Sequence, residues 1–72
     1  MDIDEQKREQ LARLASAVGE VIDGHVTARD AGAKHGVDWQ WVVLGLNAGS
    51  GENKRRLEEF VEQGGDLAQP PA

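Results

Sequence analysis

The chain has 72 residues, 39% of them hydrophobic, no cysteine, and a net charge of −5 from eight basic and thirteen acidic residues. That length allows one domain with a modest core and a net stability of a few kcal/mol. The lack of cysteine excludes a disulfide framework and a thiolate metal site, which makes the cytoplasm the expected location. No apolar run approaches the roughly 20 residues that a membrane-spanning helix needs. The charged opening MDIDEQKREQ is unlike a signal peptide.

Charge is distributed unevenly. Met1–Asp23 carries six acids and three bases, Gly24–Leu46 two of each, and Asn47–Ala72 five acids and three bases. A stand-alone nucleic-acid binder is usually basic, because phosphate neutralisation supplies most of its affinity. Here only the middle third is neutral. Such a middle permits DNA binding without arguing for it.

Periodicity predicts a first helix in which Leu11, Leu14, Ala15, Val18 and Ile22 share one face, widened by Val21. Asp2 or Asp4 can cap its start, Glu9 and Arg13 form an i, i+4 pair, and Gly24 stops it. Gly19 lies inside the pattern, where a close helix crossing would account for it. Thr27 opens a second helix with T-x-x-D, so Asp30 can complete a capping box. Gly36 ends that helix in the left-handed conformation, Val37 plugs the turn into the core, and Asp38 caps a third helix, Trp39–Leu46. WQWVVLGL also suits a strand, but no second strand exists to pair with it. Asn47, Gly49, Ser50 and Gly51 form a turn. A last helix runs from about Glu52 to Gln63 on a stripe of Leu57, Phe60 and Val61, with Lys54–Glu58 and Arg55–Glu59 as i, i+4 pairs. The expected fold is therefore all-α, a small three- to four-helix bundle over residues 1–65 with a helix-turn-helix at about 27–46. Residues 66–72, with Pro70 and Pro71, are expected to form a flexible tail.

The helix-turn-helix rests on Ala31 and Gly32 facing the turn, glycine at Gly36, and aliphatic residues at Val37 and Val42. With the threonine-led second helix, the glycine loop and the phenylalanine-containing last helix, this arrangement resembles the homeodomain-like helix-turn-helix of bacteriophage small terminase subunits and related phage DNA-binding proteins. The likeness covers Gly24 to about Gln63. It implies DNA binding or packaging, with the third helix as the reading element. The chain departs from the pattern at Trp41, where a threonine is often found, and at Gly45, where a tryptophan is common. The reading stretch offers Asp38, Trp39, Gln40, Val43 and Leu44, of which only Gln40 is a good reader of base edges.

Two functional expectations follow. In the first, Arg29, Lys34, Lys54, Arg55 and Arg56 contact phosphates of double-stranded DNA while Gln40 and Asn47 read bases. Binding would be weak in a monomer or would depend on an oligomer. In the second, the apolar third helix docks a protein partner or a second copy through Trp39, Trp41, Val43 and Leu44. The exposure of the two indoles separates them: one exposed beside Val43 favours a protein surface, and two buried leave the polar groups as the binding face.

No enzyme is expected. Ser16 and Ser50 have no base nearby in sequence, and GSGENK lacks the spacing of a phosphate loop. His25 and His35, ten residues apart, do not form a metal site, and no cofactor is expected. His25 is read as linker, and His35 as an exposed residue in a last helical turn.

Overall fold

A computed structural model describes residues 3–24, 26–47 and 51–71. It contains four helices: α1 (Ile3–Ile22), α2 (Ala28–His35), α3 (Trp39–Leu46) and α4 (Gly51–Glu62). Asp2, His25, Gly49 and Ser50 fall outside the described residues. Asp4 lies within α1 rather than ahead of it, and Gly51 belongs to α4 rather than to the preceding turn.

Local chemistry accounts for the two short helices. Thr27 has extended backbone geometry, and its hydroxyl accepts the Asp30 N–H at 3.2 Å, the Thr27 half of the expected capping box. Gly36 takes φ 72°, the left-handed conformation that costs a residue with a Cβ about 1–2 kcal/mol. Asp38 caps α3 by accepting the Gln40 N–H at 2.9 Å. Between them the Val37 N–H bonds to the Gly32 carbonyl at 2.8 Å. A Cβ on Gly32 would stand 2.5 Å from the Val37 carbonyl oxygen, so only glycine lets the turn fold back this tightly.

The core consists of Leu14 and Ala17 from α1, Ala31 from α2, Val37 in the turn, Trp41 and Val42 from α3, Leu57 and Val61 from α4, and Leu67. On α1 this differs from the expected stripe. Ala15 faces solvent and Ile22 is 70% exposed, whereas Ala17 is fully buried. Apolar residues span a wide arc of α1, and periodicity alone does not say which part of the arc the neighbours cover. Packing of α2 and α3 selects Leu14, Ala17, Val18 and Val21.

Two glycine expectations separate in the same way. Gly19 has open space where a Cβ would project, so no close crossing explains it. The close crossing is at Gly45, where a Cβ would stand 2.8 Å from Val18 Cγ2. A tryptophan at that position would require α1 and α3 to separate.

The segment expected to be a flexible tail is packed instead, as far as Pro71. Leu67 is 1% exposed and belongs to the core. Its N–H donates to Gln10 Oε1 at 2.6 Å, and its carbonyl accepts the Asp38 N–H at 2.8 Å. Gln10 Nε2 in turn donates to the Gly65 carbonyl at 3.1 Å. The segment after α4 is thus a strap that joins α1 to the start of α3. One buried leucine and four hydrogen bonds to its backbone, the fourth from the Trp41 indole N–H to the Gln69 carbonyl, hold it, features that leave no periodic trace in the sequence.

Candidate interaction surface on the third helix

An eight-residue helix advances about 12 Å and turns about 100° per residue, so its side chains divide into faces. On α3, Trp41 and Val42 are buried, at 4% and 0% exposure. Trp39, Val43 and Leu46 are 38%, 37% and 36% exposed. These three occupy the i, i+4 and i+7 positions and form one apolar stripe pointing away from the core. Leu46 was not among the expected contact residues, although its spacing from Trp39 carried the signal. Gln40 and Asn47 flank the stripe and are also exposed.

The two indoles therefore have different roles. The Trp41 ring packs on Phe60 with centroids 4.4 Å apart, and its Nε1–H donates to the Gln69 carbonyl at 2.6 Å. Expected as a partner-binding residue, Trp41 is instead a core residue with a satisfied N–H. Leu44 is half-buried against the core. Of the four apolar candidates, Trp39 and Val43 offer free surface. The Arg29 guanidinium carbon lies 5.1 Å from the Trp39 ring centroid, a cation–π contact that covers one side of the indole.

The candidate phosphate-contacting residues are divided between α2, with Arg29 and Lys34, and α4, with Lys54, Arg55 and Arg56. Lys34 Nζ is 2.7 Å from Glu20 Oε1, so α2 returns its cation to α1. His35, expected to be exposed, is half-buried, and its Nε2 is 3.0 Å from the other oxygen of Glu20. The Glu20 carboxyl is held below its usual range, chiefly by the Lys34 hydrogen bond and then by that of His35. Arg29 is engaged with Trp39. Lys54, Arg55 and Arg56 are exposed on the first turns of α4. Among the described residues neither Lys54–Glu58 nor Arg55–Glu59 forms an ion pair, in keeping with their unfavourable order along the helix dipole. The Glu9–Arg13 pair on α1 does form. The Asn47 amide donates to the Val43 carbonyl at 3.0 Å and its own carbonyl accepts from Asn53, so this residue closes α3 rather than reaching outward.

Gln40 alone of the proposed base readers projects free. It shares a groove of about 430 Å³ with Arg56, lined by Trp41, Leu44, Phe60 and Pro71. Charged and amide groups thus lie on the α4 side of α3, and the apolar stripe lies on the outer side. Among the described residues no helix is long and apolar enough to cross a membrane. No protein-family model, curated protein or solved structure matches the chain.

Proposed function

We propose that this chain is a helix-turn-helix-shaped protein-interaction module that docks a protein partner on the Trp39–Val43–Leu46 face of α3. The observation that carries this reading is the exposed indole beside an exposed valine, on the helix that would read bases in a DNA-binding relative. Major-groove readout needs amide, hydroxyl or basic groups at such positions. Exposed apolar clusters with an aromatic anchor favour protein contacts instead.

Charge narrows the partner. Two copies carrying −5 each repel one another, and three side chains of one short helix bury far less than the roughly 800 Å² per partner of a stable interface. A partner with a matching apolar groove and a net positive charge avoids that repulsion, because the chain as a whole carries −5.

DNA binding is the second reading. It rests on Lys54, Arg55 and Arg56, exposed near the N-terminus of α4, where backbone N–H groups also favour phosphate. Two measurements on one set of variants separate the readings. A photoreactive residue at position 46 should crosslink to another polypeptide in the expressing cell, and Val43→Asp should abolish the adduct. Fluorescence anisotropy with duplex DNA should show no binding that weakens with salt. Salt-dependent DNA binding lost on replacing Lys54, Arg55 and Arg56 by alanine, but kept in Val43→Asp, would replace the first reading by the second.

A further inference from the structure

We propose that the groove between α3 and α4 binds an extended, proline-containing segment of a partner polypeptide, and that the chain's own Gln69–Pro70–Pro71 is its resident occupant. This surface is distinct from the outer stripe of α3 and does not rest on the docking role of Trp39.

The end of the strap already borders this groove. The Trp41 indole N–H donates to the carbonyl of Gln69, the residue immediately before Pro70, and Pro71 lines the groove beside Phe60. An indole donor to the carbonyl preceding a proline, next to an aromatic wall, is how aromatic-lined grooves take polyproline-type ligands. Proline has no N–H, and the Gln69 N–H is already bonded to the Asp66 carbonyl at 3.0 Å, so residues 69–71 offer the groove acceptors. The groove supplies donors to match. Besides the indole, the Gln40 and Gln63 amides and the Arg56 guanidinium line it, with the Glu59 carboxylate as the one anionic group, and Arg56 is in no ion pair among the described residues. An extended proline segment is stiff before it binds, which lowers the entropy lost on docking.

The resident segment is placed to yield. The strap is anchored at Leu67, whereas Ala68, Gln69 and Pro70 are exposed and Pro71 is half-buried. Among the described residues past Ala68, only the Gln69 carbonyl is hydrogen-bonded to a helix, by the one indole bond. Releasing residues 69–71 would free the indole N–H and widen the groove while Leu67 stays in the core. The strap then acts as an internal competitor that sets the threshold for outside ligands.

The test is an amide and indole NMR titration of the full chain with a synthetic peptide of repeated Gln-Pro-Pro, with the same peptide carrying alanine for proline as control. The expected result is a saturable shift of the Trp41 indole N–H and of the Leu44 and Phe60 amides, with the Trp39 indole unmoved. Pro70→Ala/Pro71→Ala weakens the competitor and should tighten peptide binding severalfold. Leu44→Asp should abolish it, and Trp39→Ala should leave it unchanged. The proposal is overturned if Trp41 does not respond up to millimolar peptide in either the wild type or the double proline variant, if the alanine peptide binds equally, or if the shifts centre on Trp39.

Discussion

Leu67 and Gln10, 57 positions apart, are joined by a hydrogen bond of 2.6 Å from the Leu67 N–H to the Gln10 side-chain oxygen. With the Gln10 amide donating to Gly65, one side chain bonds to the strap backbone at two points. Leu67→Ala should therefore destabilise the fold by about 2–4 kcal/mol, a cost typical of emptying a fully buried leucine site. Gln10→Ala should cost about 1–2 kcal/mol, because it leaves a part-buried N–H and carbonyl without partners. Urea denaturation followed by circular dichroism measures both. A midpoint unchanged in Leu67→Ala would show that the strap contributes nothing to the bundle.

Opposite outcomes are expected for two helical glycines. Gly19→Ala has open space and a helical backbone, and should stabilise by about 0.5–1 kcal/mol through helix propensity and a less flexible unfolded chain. Gly45→Ala would place a methyl group 2.8 Å from Val18 Cγ2 and should destabilise by about 1–3 kcal/mol through overpacking. Thermal melts of the two variants should move in opposite directions.

Trp39 and Trp41 should respond differently to the same changes. Trp41→Ala empties a site 4% exposed and should cost about 3–5 kcal/mol, enough to unfold a domain of this size. Trp39→Ala should stay within about 1 kcal/mol, mostly the lost contact with Arg29. In single-tryptophan variants, acrylamide should quench Trp39 readily and Trp41 weakly. Equal quenching would remove the distinction on which the docking face depends.

The Glu20 cluster predicts an acid-side effect. The folded-state pKa of Glu20 lies below its ordinary value, so ionised Glu20 favours the folded state. That contribution is fully present above the ordinary carboxylate range and is lost as pH falls through the depressed folded value. Lys34→Met removes the larger cause and should raise the Glu20 midpoint towards the ordinary range, and His35→Gln should raise it less. Carboxyl NMR against pH measures both shifts. An unmoved midpoint in Lys34→Met would show that the ion pair does not persist in solution.

Much of the architecture was legible in the residues themselves. Thr27, Gly36 and Asp38 mark helix ends through short-range chemistry, and the bounds of α3 follow from them. Capping and left-handed glycine depend on a few adjacent residues, so the chain carries that information locally. Tertiary packing alone decided which arc of α1 is covered, which of two neighbouring indoles is dry, and that Leu67 belongs to the core. Those outcomes depend on distances between segments far apart in sequence. Trp41 is buried because Phe60 and the Gln69 carbonyl meet it, and no spacing rule within WQWVVLGL distinguishes it from Trp39.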